Sequence, residues 1–359
     1  MNLKFWREQL QLANTWTIAR GSTNVFEVVL VELTTPDGLV GIGEASPIGR
    51  YHESPATVET FFRRVDASQL SFDNLTGSMS YLDTLSPDDM AAKCALNIAL
   101  IDGAARRSGK AVYDFLGLGF RENQHVTSFS IGIAEPEVIR KKVQAAERFS
   151  VLKLKVGVPE DQQLVAALRE AAPTKAIRLD ANEGWKTKEQ ALERLQQLAQ
   201  DKYIQFVEQP MPQSTSVEDL IWLKERSPLP LFADESYHSA KDLAHCAQCF
   251  HGVNVKLVKT GGVSAGFVAL QAARNAGLKT MIGCMIETSV LISAATHLAE
   301  LCDYLDVDGN LLTTNDPYSG VTQKGGVLSF KDAPEKIGLR VKRVAPLREL
   351  PIAATVTNV

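Results

Sequence analysis

The sequence predicts an α/β chain in which a barrel of parallel βα units follows a smaller α+β layer. Two observations carry this reading. From about Gln124 onward, short apolar runs alternate with amphipathic helical stretches eight times over roughly 185 residues, and eight parallel strands close a barrel. Before that point the texture differs, with a β-hairpin, a long Ala-rich helical stretch and no βα alternation. A doubly wound sheet is the competing architecture, but no G-x-G-x-x-G follows the first strand.

The hairpin comes first. "VFEVVLVELTT" and "LVGIGEA" are β-branched runs on either side of Pro36, Asp37 and Gly38, which supply the turn. Ser86 to Gly109 then carries apolar residues at helical spacing ("AAKCALNIALIDGAARR"), and "YDFLGLG" closes the region near Gly119. The eight barrel runs follow as "TSFSIG", "VLKLKVG", "AIRLDAN", "YIQFVEQP", "LFADES", "GVNVKLVK", "TMIGCM" and "DYLDVDG".

Composition narrows the class. The 359 residues are 45% hydrophobic and 22% charged with a net charge of -4, so no basic excess exists to hold nucleic acid. No apolar run approaches the ~20 residues that span a bilayer, and "MNLKFWREQLQL" is charged rather than signal-like. A soluble, cytoplasmic protein with no membrane partner is expected, and self-association into a homo-oligomer is left open. Five cysteines, an odd number, argue against a disulfide framework, and Cys246 with Cys249 reads as helix packing. The six histidines show no i, i+4 metal spacing.

Charge recurs at the C-terminal ends of the barrel runs, which converge on one mouth. Asp180, Glu208 and Asp234 come from three consecutive strands, one βα unit apart. Three anionic oxygens at one point repel unless a cation joins them, and oxygen-only ligation suits Mg²⁺. Phe232, Asp234 and Ser236 share a strand face, so Asp234 is assigned as ligand and Glu235 points away. Lys155 flanks this triad on one side and Lys256 on the other. Like charge and desolvation are expected to lower a lysine's pKa there, making each a usable base near neutral pH. Two bases facing each other can take a proton from one face of a carbon and return it to the other. Lys153 shares a face with Lys155 and is read as its electrostatic companion, lowering its pKa and stabilising the anion formed. Lys259, three residues after Lys256, is placed on the opposite strand face as a structural residue.

The motifs "KLKVG", "LDANEGW", "FVEQP", "FADES" and "NVKLVKTGG", in this order, resemble the enolase superfamily, in its muconate-lactonizing-enzyme-like branch. "IARGST", "GIGEASP" and "RYHES" extend the likeness to the N-terminal region. The resemblance implies a modified TIM barrel, (β/α)7β, over residues 121–321. It also implies an α+β capping domain over 1–120 completed by 322–359. Within the branch, "DVDG" resembles the Asp-x-Asp by which dipeptide epimerases of the L-Ala-D/L-Glu type bind the substrate ammonium, here Asp306 and Asp308. Two carboxylates on one strand also suit a cation and repel an anionic substrate such as muconate. The resemblance further implies substrate contacts from Cys284, Met285 and Ile286, a hydroxyl from Ser130, and Arg20, then Arg50, as partner for a Glu side chain.

The implied function is a Mg²⁺-dependent dipeptide epimerase working by 1,1-proton transfer at the C-terminal residue, with L-Ala-D/L-Glu or a related L-Ala-Xaa dipeptide as substrate and its carboxylate on the metal. An N-acylamino acid racemase or o-succinylbenzoate synthase would leave Asp306 and Asp308 without a cation. A catalytically silent metal-binding barrel would have no need of two facing lysines.

Overall fold

In the computed structural model, which describes residues 1–345, the chain opens with a three-stranded antiparallel sheet of β1 (Asn2–Ile18), β2 (Gly21–Thr34) and β3 (Val40–Ala45). The β2–β3 turn falls at the expected Pro-Asp-Gly, with Gly38 at φ +86 and Thr35 N–H donating to Leu39 O at 3.0 Å. Along β2 the side chains alternate between two buried faces. Val29, Val31 and Leu33 join Leu3 and Phe5 against the cap helices, while Val28 and Leu30 join Trp6 and Leu10 in the cluster that runs into the barrel. A sheet covered on both faces explains the unbroken apolar run from Val28 to Val31.

Three helices cover one face: α1 (Pro55–Arg64), α2 (Leu75–Leu85) and α3 (Met90–Arg107). Ser54 and Thr57 form a reciprocal capping box at the start of α1. In α3 every residue from Ala91 to Ala105 is buried. Its alanines let β3 approach closely enough that a Cβ on Gly43 would lie 1.9 Å from Ala95 O. That contact accounts for both the Ala-rich helix and the glycines of "GIGEA".

The barrel strands are β4 (Phe129–Ile131), β5 (Val151–Lys155), β6 (Ala176–Asp180), β7 (Ile204–Glu208), β8 (Leu231–Ala233), β9 (Gly252–Lys256), β10 (Lys279–Gly283) and β11 (Tyr304–Asp306). They pair in parallel in sequence order, and a Thr127–Leu305 bridge brings the ends together. Helical segments separate the strands, but β11 is followed only by the short turn Gly309–Leu312. This is a (β/α)7β barrel, one helix short of a full (β/α)8 ring, and all eight expected runs are strands. Near its C-terminus the chain returns to the N-terminal elements: Val112 N–H donates to Gly338 O at 3.0 Å, and Arg343 pairs with Glu8 at 2.6 Å. Of the expected cap contribution from 322–359, residues 346–359 lie outside the described residues.

All five cysteines are free, and Cys246 and Cys249 are buried on the helix Leu243–Cys249. Among the described residues no helix is long and apolar enough to cross a membrane.

The β3–α3 contact predicts that Gly43→Ala costs about 3 kcal/mol or more, because both neighbours are backbone and cannot rotate away. Gly49→Ala, where a Cβ meets nothing within 4 Å, is the control. Equal shifts in thermal unfolding would contradict the close packing.

Candidate active site

Strand register puts the charged residues on one level. Lys155 pairs with Asp180 and Asp180 with Glu208, while Gly283 pairs with both Lys256 and Asp306. In parallel strands paired residues face the same way, so these side chains meet inside the barrel mouth. One layer down, Phe206, Phe232, Met281 and Tyr304 form an apolar plug.

One carboxylate oxygen each of Asp180, Glu208 and Asp234 lies within 4.8 Å of the other two, and all three residues are buried. Glu235 turns from the triad, its Oε1 accepting from Arg20 at 2.8 Å, but it still lines the same cavity, because the strand ends at Ala233 and alternation no longer separates the two acids fully. Around the acids stand the lysines. Lys153 Nζ is 2.6 Å from Glu208, 2.7 Å from Asp306 and 3.2 Å from Asp180. Lys155 Nζ approaches the same Asp180 oxygen at 2.6 Å, so both ammonium groups of "KLK" converge on one carboxylate. Lys256 Nζ is 2.9 Å from Asp234 Oδ2.

Lys259 departs from its expected place. The strand stops at Lys256 and a helical turn, Leu257–Thr260, begins, so alternation no longer applies. Lys259 swings back to Asp234 Oδ1 at 2.7 Å and, with Lys256, grips that carboxylate from both oxygens.

The lowered pKa expected for Lys256 is reversed. Burial pulls Lys256 down, but Asp234 and Glu208 outweigh it and raise it above its ordinary value. Burial likewise opposes the charge of Lys153, yet Asp306, Glu208 and Asp180 hold it well above the usual lysine range. Among the carboxylates, burial and Asp180 push Glu208 up to about 8, whereas Lys155 and Lys153 overcome burial and hold Asp180 low. Burial and Asp306 push Asp308 up to about 7. The three carboxylates Asp180, Glu208 and Asp234 converge as an all-oxygen donor set, which fits a hard divalent cation.

The aspartate pair is held by β4 and the residue before it. Ser128 Oγ donates to Asp306 at 2.7 Å, and Ser130 N–H donates to Asp308 at 2.6 Å. A cavity of about 480 Å³ opens above the floor, lined by Ser130, Lys153, Lys155, Asp234, Lys256, Cys284, Met285, Ile286, Asp306 and Asp308. The cap supplies the facing wall with Trp16, Ile18, Phe26, Ile48 and Tyr51. Trp16 sits 5.9 Å from Lys155 Nζ. Arg20 and Arg50 also reach this wall, but their guanidinium groups already contact protein carboxylates.

Sequence reasoning missed Asn254, which donates to Glu208 at 2.7 Å, and Ser128. Each lies two residues before an assigned residue, and strand alternation alone could have found it.

The fold and floor together define a class, the enolase-superfamily isomerases. Residues 2–117 match the mandelate racemase / muconate lactonizing enzyme N-terminal domain and residues 138–334 the enolase C-terminal domain-like family, and the chain belongs to this family. It is an isomerase of the racemase and epimerase kind. Over 345 residues it is 64% identical to an L-Ala-D/L-amino acid epimerase of Pedosphaera parvula, covering 95% of this chain and 99% of that one. It is 37% identical over 336 residues to an L-Ala-D/L-Glu epimerase of Bacteroides thetaiotaomicron, covering 93% and 86%. A solved dipeptide epimerase from Cytophaga hutchinsonii, complexed with Mg and D-Ala-L-Val, superposes with a TM-score of 0.89 at 27% identity over 96% of both chains.

The placement of the two acidic neighbours predicts that Asp234→Asn weakens Mg²⁺ binding at least roughly tenfold, read by calorimetry. Glu235→Gln, whose carboxylate faces Arg20, is expected to change it far less. Equal losses would contradict the assignment.

Proposed function

We propose that this chain is a Mg²⁺-dependent dipeptide epimerase that inverts the α-carbon of the second residue of L-Ala-D/L-Xaa dipeptides. The observation that carries the reading is the pair Asp306 and Asp308 lining the same cavity as Lys155 and Lys256. A doubly acidic pocket for a free ammonium stands beside two candidate proton carriers. The names of the two relatives support an alanine first residue.

In this reading Asp306 and Asp308 bind the N-terminal ammonium, oriented by Ser128 and Ser130. Cys284, Met285 and Ile286 run beside the peptide unit. Asp180, Glu208 and Asp234 hold the cation, which when bound supplies a Lewis acid for the terminal carboxylate and so acidifies the α-proton. Lys155 takes or returns that proton on one face, and Lys256 does so on the other. Lys153 keeps a fixed positive charge where negative charge builds. Its contacts to Asp180, Glu208 and Asp306 link the metal floor to the ammonium site.

Acetylating the N-terminus of an L-Ala dipeptide removes the charge that the aspartates meet, and kcat/KM should fall by an amount worth roughly 2 to 5 kcal/mol. Equal turnover of acetylated and free dipeptides would favour the N-acylamino acid racemase reading.

The lysines have a separate signature. Lys155→Ala and Lys256→Ala should each stop epimerisation in both directions. In D₂O, followed by NMR, each should still exchange the α-proton of one epimer, and the two variants should choose opposite epimers. Epimerisation by Lys256→Ala at near wild-type rate would exclude the two-base arrangement.

A further inference from the structure

Two guanidinium groups reach the cap wall of the cavity, and neither is free. Arg20, at the β1–β2 turn, places Nη1 2.8 Å from Glu235 Oε1, 3.3 Å from Glu183 Oε2 and 3.0 Å from Asn182 O. Arg50 Nη2 lies 2.8 Å from both carboxylate oxygens of Glu183. Glu183 Oε1 also accepts the backbone N–H of Gln213 at 2.8 Å. The arginines remain partly open, at 36% and 30% side-chain exposure, whereas Glu183 is at 9% and Glu235 at 1%. The acids are therefore the buried partners.

Glu183 does not line the cavity. Its backbone is held at φ +67, a left-handed conformation unfavourable for a residue with a side chain, and its N–H is fixed on Gln209 O at 2.9 Å. The carboxylate is thereby aimed at the arginines.

Resting on the dipeptide reading, we infer that Glu183 determines side-chain specificity: it engages Arg20 and Arg50 so that the enzyme prefers a neutral second residue over an acidic one. The tetrahedral α-carbon fixes the direction of the side chain. The hydrogen faces one lysine or the other, the carboxylate the acidic triad and the amide nitrogen the aspartate pair, so the fourth substituent points to the cap wall. Beside the two arginines that wall carries Trp16, Ile18, Phe26 and Ile48, the hydroxyls of Ser22 and Thr23, and the carboxylate of Glu235. An acidic side chain arriving there would compete with Glu183 for Arg50, and with Glu235 and Glu183 for Arg20, loosening the ion pairs of buried carboxylates, which costs more than the exchange returns. A neutral side chain disturbs nothing.

The test compares L-Ala-L-Gln with L-Ala-L-Glu, nearly isosteric substrates that differ in charge, by α-proton exchange in D₂O. The wild type should favour the Gln dipeptide by roughly tenfold in kcat/KM. Glu183→Gln should raise the Glu-to-Gln preference about tenfold, mainly through KM, and adding Arg20→Gln and Arg50→Gln should abolish that gain. A generally loosened cap would lower both substrates together and leave the ratio unmoved. An unchanged ratio in a folded Glu183→Gln protein would overturn the inference while leaving the dipeptide reading intact. A wild type that favours L-Ala-L-Glu would overturn it without any variant. A wild type that exchanges no dipeptide would remove the underlying reading and the inference with it.

Discussion

Charge balance at the closed mouth of the barrel governs the arrangement of the surrounding residues. Asp180, Glu208, Asp234 and Asp306 are nearly excluded from solvent, and an uncompensated carboxylate in such a place costs several kcal/mol. Each is therefore met by a donor from another strand or segment: Asp180 by Lys155, Glu208 by Asn254, Asp234 by Lys256 and Lys259, and Asp306 by Lys153 and Ser128. Lys153 touches three acids because its strand stands between the first serines and Asp180 in the barrel order. Below this layer Arg178 lies 5.0 Å from the Tyr304 ring and donates to Leu305 O at 2.6 Å. Its Nε donates to Gln205 Oε1 at 2.9 Å, and the charges of Asp306 and Glu208 above oppose the cost of burying it.

The cap does more than cover the mouth. Strand β3 sends Glu44 to the N-terminus of the helix Ser289–Thr296, where it accepts from Thr288 N–H at 2.8 Å and Leu291 N–H at 3.1 Å. Burial pushes this carboxyl up to about 7, against the pull of those donors. Ser46, two residues further on, donates to Ile286 O at 2.9 Å. The lip Cys284–Met285–Ile286 is thus braced from the cap, and its position depends on β3 reaching down past α3. Gly41 and Gly43 make that approach sterically feasible, which couples an apparently structural motif to the shape of the cavity.

What was legible in the sequence follows from which interactions are local. Barrel strands buried on both faces read as short apolar runs, and charge at their ends stands out against them, so the strands and the acid and lysine set could be located. Alternation held only while the chain stayed extended: it applied from Lys153 to Lys155 and failed from Lys256 to Lys259, where the strand gives way to a helical turn. Strand β1 was missed because its pattern serves two cores. Trp6 and Glu8 are buried beside Phe5, and Glu8 is satisfied by Trp6 and by Arg343 at the far end of the chain. Helix α1 carried a readable Ser-Pro start with Thr57 at the capping-box position, yet it is too short for periodicity to announce it. The engagement of Arg20 and Arg50 by Glu183 could not be read at all, since it joins cap turns to a barrel loop across more than a hundred residues of sequence.

Floor and wall are consequently specified by different physics. Backbone pairing of parallel strands fixes the floor, where replacing one charge upsets several neighbours, so it is suited to the groups that all dipeptides share. The wall is built from turns of the cap and from loops, where a change disturbs fewer partners. The loop after β6 joins the two. Asn182 N–H donates to Asp180 Oδ1 at 3.0 Å on the floor side, while Asn182 O and the Glu183 carboxylate receive Arg20 on the wall side. The path of this loop is set by glycines: Gly157 sits at φ +99, and a Cβ on Gly184 would lie 2.3 Å from Gly157 O. Side chains at either position would force the two loops apart and carry Glu183 away from the arginines. Glycines that contact no substrate thereby hold the wall in register with the floor.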